Sequence, residues 1–442
     1  MGSNNSGLVD YIFARKRKGI ILCFLFFVLI FLYYNRSESN NSNIEVQTFK
    51  CPQTNTFPSK KYAIMLDAGS TGSRIHIYEI LMCDDQVLSL QKEHFHEVKP
   101  GLSSFSSPAE AASSIDPLLE KALQIIPLSH RKCSPISLKA TAGLRLLSND
   151  LAKIIINQIR ENIKRYPFLI PKKDGDIADV IEGSEEGIFA WITVNFLLNH
   201  FGTNSLPSLI MDLGGASTQI VFESNLPFDP KYYEKMKLYG KDYNLYQHSF
   251  LGFGLMEARK KIISEYLSRR KTDDTKGFAC FSNIHSEKTP LGILEGKGSN
   301  PAECLSYVKE VFPSTANCDL KPCTFNGIHL PDIDVGEIYA FSYFYDRTEI
   351  LNLPAVLKVK DFSLAFHDIC SITTEHQDHQ HYDKFTENPY LCLDLAYIYG
   401  LLKFAYRLPD DKEIRLAKKI QGYETGWALG ASLKLIQDYK CT

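Results

Sequence analysis

Two stretches of the chain, 145 residues apart, carry nearly the same pattern of residues. Residues 62–79 read YAIMLDAGSTGSRIHIYE, and residues 209–223 read LIMDLGGASTQIVFE. Each pattern predicts an apolar strand that ends in aspartate, a turn of small and hydroxyl residues, and a second strand with alternating apolar residues. Small residues at such a turn let backbone N–H groups approach an anion such as phosphate. The repetition therefore predicts a duplicated architecture with two phosphate-binding turns facing each other across a cleft.

The aspartate that ends each first strand is a candidate metal ligand. Asp67 and Asp212 are placed to hold a hydrated Mg²⁺ or Ca²⁺ near a phosphate, because hard cations favour carboxylates and water. An aspartate that only caps its turn is the alternative at each position, and one Asp-Gly-Ser turn alone would be weak evidence. The candidate N–H cradle consists of Gly69, Ser70, Thr71, Gly72 and Ser73 in the first turn and of Gly214, Gly215 and Ala216 in the second.

The length and the element pattern favour a two-domain α/β protein. A chain of 442 residues can bury two cores, and its net charge of −2 argues against a nucleic-acid surface. Strands alternate with helical patterns, which predicts mixed sheets flanked by helices. The charged stretch 272–300 is expected to be a surface segment outside the core. Helices are predicted at 108–126, 148–165 (with Ser148 as N-cap), 187–198, 256–267, 301–312, 360–369, 389–406 and 426–439.

The N-terminal segment predicts a membrane anchor. A basic run at 15–18 precedes the apolar and aromatic run 19–34, which predicts an uncleaved signal anchor with residues 1–18 in the cytosol and the rest in a lumen or outside the cell. The run is short for a membrane span, and a cleaved signal peptide is the alternative. Residues 35–51 read as a polar stalk, with glycosylation sequons at Asn35 and Asn40.

Ten cysteines follow the apolar run, and they predict disulfides rather than a metal cluster. Cys318 and Cys323 are close enough in sequence to pair locally. The pairing of Cys51, Cys83, Cys133 and Cys441 stays open. A histidine cluster at His376, His379 and His381 is interpreted as surface histidines rather than a metal site, because no cysteine or carboxylate ligands accompany it.

Five motifs in order resemble the conserved regions of the ecto-nucleoside triphosphate diphosphohydrolase (apyrase, CD39-like) family. They are DAGSTGSR at 67–74, ATAGLRLL at 140–147, EGSEEGIFAWITVN at 182–195, DLGGASTQ at 212–219 and ETGWALGAS at 424–432. The resemblance covers about residues 60–438 and is strongest to the single-anchor, Golgi-type or secreted members. It implies the two-lobed actin/Hsp70/hexokinase-like fold with a central cleft, lobe one at 52–181 plus 418–442 and lobe two at 182–417. It also implies the disulfides Cys280–Cys304 and Cys370–Cys392.

The candidates for the catalytic base are Glu182, Glu185 and Glu186, which stand at a predicted helix start. Acids there usually interact with the helix dipole, and the residues alone leave the three open. The resemblance implies that Glu186 activates the attacking water, which Ser217 and Gln219 can hydrogen-bond. Glu182 is a further candidate metal ligand. Candidate phosphate contacts are Arg74 and Arg145 as cations, each with a structural role as the alternative, and Thr141, Ala142 and Gly143 in the second motif.

Aromatic residues are the candidates for stacking on a nucleobase. Tyr343 and Tyr345 belong to the aromatic stretch 339–345, and 248–254 is a second such stretch. Trp427 is expected to pack against the cleft. Plain core packing is the alternative for all of them.

The resemblance implies cation-dependent hydrolysis of the terminal phosphate of nucleoside di- and triphosphates. A kinase of the same fold class and an actin- or Hsp70-like nucleotide-gated binding protein are the alternatives. The chain contains no GxxxxGK[ST] motif, so it is not a P-loop enzyme. The sequence leaves four properties open: the preference between triphosphates and diphosphates, the base preference, the choice between Ca²⁺ and Mg²⁺, and the oligomeric state.

Overall fold

The computed structural model describes residues 50–439, apart from residues 52, 70, 85, 227, 270–276, 291, 313–317, 319, 334–335 and 374. The predicted anchor at 19–34 lies outside the described residues. Among the described helices, none combines the length and the apolar character needed to cross a bilayer. The chain forms two compact units. The described residues before Lys61 and the segment Ile80–Leu90 form one, and Lys61–Glu79 with the described residues from Gln91 onward form the other. The site described below lies within the second unit.

Two larger sheets share one strand pattern. The first has the order β3-β2-β1-β4-β5, and the second has the order β13-β14-β12-β6-β7-β9-β8. Strand β4 pairs in parallel with β1 in the first sheet, as β12 does with β6 in the second. The strands are β1 Ser59–Ala68, β2 Ser73–Cys83, β3 Gln86–Val98, β4 Ile136–Ala140, β5 Ala178–Val180, β6 Leu209–Leu213, β7 Ser217–Glu223, β8 Tyr233–Leu238, β9 Lys241–Leu251, β10 Ser286–Thr289, β11 Gly292–Glu295, β12 Ile338–Ser342, β13 Val356–Lys358, β14 Glu413–Leu416, β15 Lys419–Ile420 and β16 Tyr423–Glu424. The predicted duplication and the α/β class are confirmed.

Helices follow the parallel strands and flank both sheets. They are α1 Pro108–Ser113, α2 Asp116–Ile125, α3 Leu128–Arg131, α4 Ala142–Arg145, α5 Asn149–Ile163, α6 Asp174–Ile177, α7 Gly183–Leu197, α8 Leu255–Arg269, α9 Pro301–Glu310, α10 Tyr343–Glu349, α11 Val359–Cys370, α12 Tyr382–Glu387, α13 Leu391–Gly400 and α14 Ala428–Asp438. A π-helical turn, Leu401–Ala405, continues α13. Helix α7 is apolar around its whole circumference and is buried along most of its length.

Three predicted helices differ from the observed ones for local reasons. The single helix expected at 108–126 is broken into α1 and α2, because Pro117 near the start of α2 has no N–H to continue the ladder. The helix expected from Gly187 begins at Gly183, because the side chain of Glu185 caps the backbone N–H of Glu182 at 3.4 Å. The helix expected at 389–406 begins at Leu391 and widens into the π-helical turn.

Each large sheet has its own apolar core. Residues of β1, β2 and β4 pack with those of α2 and α5 in one cluster. Residues of β6, β7, β9 and β12 pack with those of α8, α11 and α13 in the other. The expectation that the stretch 272–300 lies at the surface is wrong for part of it, because the side chains of Phe278 and Phe281 are fully buried in the second cluster. Their burial shows that this segment supports the second sheet.

Four disulfides are described. The local pair Cys318–Cys323 and the pairs Cys280–Cys304 and Cys370–Cys392 are confirmed. Cys51 is bonded to Cys83. Cys133 is also disulfide-bonded, and Cys441 lies outside the described residues.

Candidate active site

A cavity of about 950 Å³ brings the two predicted phosphate turns onto one surface. Most of the candidate site residues contribute to it. Those that line it are Asp67, Gly69, Thr71, Arg74, Thr141, Ala142, Glu186, Asp212, Gly214, Gly215, Ala216, Ser217, Tyr343, Tyr345 and Trp427. Gly72, Ser73, Gly143 and Glu182 do not line it, and Ser70 lies outside the described residues. Arg145 and Gln219 contact the lining residue Glu186 instead.

Each of the two turns is closed by a backbone hydrogen bond between equivalent positions. In the first, the N–H of Gly69 donates to the carbonyl of Gly72 at 3.0 Å. In the second, the N–H of Gly214 donates to the carbonyl of Ser217, also at 3.0 Å. Each donor lies two residues after the aspartate of its motif, Asp67 or Asp212, and three residues before its acceptor. The two motifs are therefore structural copies as well as sequence copies.

The second turn is held against the start of helix α8. The backbone N–H groups of Leu255 and Met256 donate to the carbonyls of Gly214 and Gly215, each at 2.9 Å. These are N–H groups that a helix start leaves without partners inside the helix. Gly254 precedes them, and a Cβ there would overlap the backbone of Ala216 and Ser217. Gly254 is thus a supporting residue of the site that the sequence pattern did not reveal.

Of the three candidate glutamates, only Glu186 is buried. Its Oε2 accepts hydrogen bonds from Arg145 and, at 3.1 Å, from Gln219. Burial raises the pKa of the Glu186 carboxyl to about 8; the charge of Arg145 opposes this, and the carboxylates of Asp212 and Asp67 add to it. Perturbed acids of this kind cluster in functional sites.

Gln219 connects Glu186 to two hydroxyl groups. Its side-chain nitrogen lies 2.8 Å from the Oγ of Ser217 and 3.0 Å from the Oγ of Ser249. Glu186 and Ser217 line the cavity, whereas Gln219 and Ser249 are not among the lining residues and contact these two groups. The cluster fixes the orientation of the carboxylate, and Ser249 in it was not among the sequence candidates.

The glycine at the start of helix α7 makes this cluster possible. A Cβ on Gly183 would overlap the side chain of Ser249 and come within 2.5 Å of the guanidinium of Arg145. Only glycine leaves room for these two side chains to reach Glu186 and Gln219. Glu182 and Glu185, by contrast, are exposed and belong to the cap of the same helix.

Asp67 and Asp212, each the last residue but one of its strand, line the cavity and have oxygen atoms without hydrogen-bond partners. The Oδ1 atoms of Asp67 and Asp212 are buried and have no hydrogen-bond partner among the described residues. The other oxygen of Asp67 lies 3.3 Å from Arg74, whose second nitrogen lies 3.0 Å from Glu97. Burial raises the pKa of Asp212 to about 6, a hydrogen bond from Ser342 lowers it, and the charge of Asp67 raises it further. A half-buried carboxylate, Asp67, and a buried one, Asp212, each with an oxygen that has no described partner, fit a hydrated divalent cation.

Ser342 occupies a strained position at this wall. Its φ is 58° at the junction of β12 and α10, a region that residues other than glycine seldom adopt. It pairs with Leu213, next to Asp212, across the parallel strands. Strain of this kind is retained where the surrounding structure requires it, often at functional sites. No residue pattern in the sequence signals a positive φ at a serine, so this residue was missed.

The aromatic candidates separate into two groups. Tyr343 and Tyr345 line the cavity, and Trp427 lines it while only 5% exposed. The stretch 248–254 packs in the core instead: the ring of Phe250 stacks on that of Phe325 with centroids 4.4 Å apart. The histidines at 376–381 make local contacts, such as His379 with Asp368 at 3.2 Å.

Comparisons with known proteins agree with this geometry. The model of the GDA1/CD39 (nucleoside phosphatase) family matches residues 53–442. A guanosine-diphosphatase of Schizosaccharomyces pombe is 36% identical over 438 residues, which cover 90% of this chain and 78% of that protein. The human nucleoside diphosphate phosphatase ENTPD5 is 37% identical over 403 residues, which cover 88% and 90%.

A solved structure supports the fold. The crystal structure of nucleoside triphosphate hydrolases from Neospora caninum has a TM-score of 0.60, 15% sequence identity, and coverage of 90% of this chain and 95% of that one. At this identity the likeness concerns the fold alone. The family match and the two relatives, each covering most of the chain, establish that it belongs to the GDA1/CD39 (nucleoside phosphatase) family of hydrolases.

Proposed function

We propose that this chain hydrolyses the terminal phosphate of nucleoside di- and triphosphates with the help of a divalent cation. The observation that carries the proposal is that Glu186, Asp67, Asp212 and both phosphate turns line one cavity. The names of the relatives, guanosine-diphosphatase and nucleoside diphosphate phosphatase, favour diphosphates as the better substrates. Nothing in this proposal requires a covalent intermediate.

The phosphate chain lies between the two turns in this account. Backbone N–H groups of Thr71 in the first turn and of Gly215 and Ala216 in the second are the candidate donors to its oxygens. Arg74 brings a positive charge to the same wall, where Asp67 and Glu97 hold its guanidinium. Fixed donors and charges around the transferred group stabilise the transition state of phosphoryl transfer.

Asp67 and Asp212 are the residues that would hold Ca²⁺ or Mg²⁺, directly or through water. Such a cation supplies positive charge that neutralises phosphoryl oxygens and lowers the pKa of nearby acids. Glu182 is left out of the proposed ligand set, because it is exposed at the helix cap and does not line the cavity.

Glu186 takes the proton of the attacking water. Arg145 and Gln219 both donate to its Oε2, which leaves Oε1 as the oxygen that accepts the proton. Arg145 also favours the ionised carboxylate that a general base needs. Ser217 is held by Gln219 at 2.8 Å and is placed to orient the water.

The location is part of the same proposal. The basic run before 19–34 and the described disulfides support a single-pass type II protein whose catalytic part lies in the Golgi or endoplasmic reticulum lumen or outside the cell. Nucleoside diphosphates or triphosphates in that compartment would be the substrates, with the membrane reached through the N-terminal anchor.

Phosphate release tests the function directly. The purified chain is given GDP, UDP, ADP or ATP with Mg²⁺ or Ca²⁺, and a parallel set contains EDTA. Multiple turnovers of free phosphate that stop in EDTA support the hydrolase. A single slow turnover per protein would favour the nucleotide-gated binding protein, and release that requires an added acceptor would favour the kinase.

A further inference from the structure

Glu93 of strand β3 lies behind the cavity and holds two of the side chains that line it. Its Oε1 lies 2.7 Å from the Nδ1 of His76, and the hydroxyl of Tyr78 donates to the same carboxyl group. His76 and Tyr78 line the cavity, whereas Glu93 does not, and the side chain of Glu93 is only 5% exposed. Burial, then the charge of Glu93 and this hydrogen bond, raise the pKa of Tyr78 well above its ordinary value, so its hydroxyl remains a donor.

The second oxygen of Glu93 holds a segment that is distant in sequence. Its Oε2 accepts the backbone N–H of Glu424 at 2.7 Å, over a separation of 331 residues. Glu424 begins the run 424–429, every residue of which lines the cavity; this run is called the 424–429 wall below. One buried carboxyl group therefore joins the 424–429 wall to strands β2 and β3.

The 424–429 wall leads directly into helix α14, which packs on the helix that carries Glu186. The N–H of Gly430 in α14 donates to the hydroxyl of Thr193 in α7 at 2.9 Å. A Cβ on Gly430 would lie 2.2 Å from the carbonyl oxygen of Phe189, which follows Glu186 by three residues. Because the two backbones are in such close contact, a displacement of the wall is passed on to α7.

We propose that Glu93 is a positioning residue for the hydrolysis: it holds the 424–429 wall and, through helix α14, sets the place of Glu186 in the cavity. The inference rests on the proposed function, because it assigns a role within that reaction. Glu93 does not line the cavity, so it acts through the wall rather than on the substrate. Without its oxygens, the N–H of Glu424 and the hydroxyl of Tyr78 lose their acceptor, and the wall shifts to find another.

The test uses four substitutions in the full chain. Glu93→Leu keeps the approximate size and removes both acceptors, and Glu93→Asp keeps a carboxyl group that is one methylene too short to reach both partners. Glu93→Gln is the conservative variant, because its oxygen can accept from Glu424 and its amide can donate to the Nδ1 of neutral His76. Glu79→Leu is the matched control: Glu79 pairs with His94 at 2.8 Å in the same two strands, and neither residue lines the cavity.

Steady-state kinetics with GDP and Mg²⁺ separate positioning from a plain loss of stability. We expect kcat to fall about ten- to a hundredfold in Glu93→Leu and Glu93→Asp, with KM changed far less, because small displacements of catalytic groups are costly. Glu93→Gln and Glu79→Leu should keep most of the wild-type kcat. Added to Glu186→Gln, Glu93→Leu should cause little further loss, because no base is left to misplace.

Tryptophan fluorescence reports the position of the wall itself. Trp427 lies in the wall and is 5% exposed, and Trp191, the other tryptophan of the chain, is fully buried. Acrylamide quenching of each protein is compared with that of its Trp427→Phe counterpart, and the difference belongs to Trp427. We expect this quenching to increase in Glu93→Leu and Glu93→Asp and to stay at the wild-type level in Glu93→Gln and Glu79→Leu.

Unchanged kcat or unchanged Trp427 quenching in Glu93→Leu and Glu93→Asp would overturn the inference, as would a loss that multiplies with that of Glu186→Gln. If thermal unfolding shows that Glu93→Leu does not fold, Glu93→Asp decides on the same criteria. If the wild type releases no phosphate from any nucleotide, the proposed hydrolysis fails, and the quenching alone decides whether Glu93 holds the wall.

Discussion

Among the three candidate glutamates, Glu186 is the one that is buried and lines the cavity, which supports it as the proposed base. Its neighbour Glu185 is exposed and belongs to the cap of the same helix. The sequence offered these acids as equivalent candidates at a helix start, and burial separates them. The structure thereby supports the assignment that the family resemblance implied, and the role itself stays a proposal to be tested by substitution.

Replacing Glu186 with glutamine should lower kcat for GDP by about a hundred- to ten-thousandfold, the usual effect of removing a general base. Binding of GDP should persist, because the turns and Arg74 are untouched. Glu185→Gln is the matched control, one residue away and exposed, and should keep near-normal turnover. Steady-state phosphate release and equilibrium GDP binding measure the two effects. Comparable turnover in the two variants would reject Glu186 as the base.

The raised pKa of Glu186 also predicts a pH dependence of stability. Its carboxyl has a pKa of about 8 in the folded protein against an ordinary 4.5, so between these values the folded state binds more protons than the unfolded state. In EDTA, the free energy of unfolding should therefore fall as pH rises from about 4.5 to about 8, by up to about 1.4 kcal/mol per pH unit from this group. Denaturant unfolding should show a shallower fall in Glu186→Gln. The same slope in both proteins would contradict the assigned shift.

At the scale of helices and strands, the contact that positions Glu186 is the one between the start of helix α7 and the side chains of Arg145 and Ser249. Gly183 begins this helix and leaves space for Arg145 and Ser249. The helix is anchored from its other side as well, since a Cβ on Gly430 of α14 would overlap the carbonyl of Phe189. Helix α7 is therefore closely packed at Gly183 and at Phe189, on either side of Glu186 in the sequence, and we infer that this packing sets the position of Glu186.

Gly183→Ala should displace Arg145 or Ser249 and so misplace Glu186. We expect a loss of kcat on the order of a hundredfold, because small shifts of catalytic groups are costly, together with a loss of stability of about 1–3 kcal/mol from overpacking. Gly336→Ala is the control, because its Cβ would meet no atom within 4 Å. Phosphate release and thermal unfolding are measured for both. Equal activity in the two variants would show that the packing at Gly183 does not position the base.

The sequence predicted the elements that carry a repeated or periodic pattern, and it missed those set by tertiary contacts. The two turns were predicted because their residues recur, and the Ser148 cap of α5 was predicted correctly from the residue type. Ser342 was missed because its positive φ results from the junction of β12 with α10. The core role of Phe278 and Phe281 was missed because a charged surrounding sequence conceals two buried rings.

At the scale of the whole molecule, the described part of the chain contains two large sheets of one design, and each supplies one turn and one aspartate. Strand β1 leads to Asp67 and strand β6 to Asp212, and each is flanked by a parallel strand that leads into a helix. Both aspartates line the same cavity, and each has one buried oxygen without a hydrogen-bond partner among the described residues. We propose that these two sheets jointly hold one cation and one phosphate chain. The lobe boundaries proposed from the family resemblance stay a prediction.

The most direct test is the Mg²⁺ and Ca²⁺ concentration dependence of GDP hydrolysis in Asp67→Ala, in Asp212→Ala and in the double variant. If both carboxylates organise one cation, each single change should abolish cation-dependent turnover, and the double variant should be hardly worse than either. The effects would then be far from additive. Two independent losses that multiply in the double variant, with unchanged cation midpoints in the singles, would contradict the shared site.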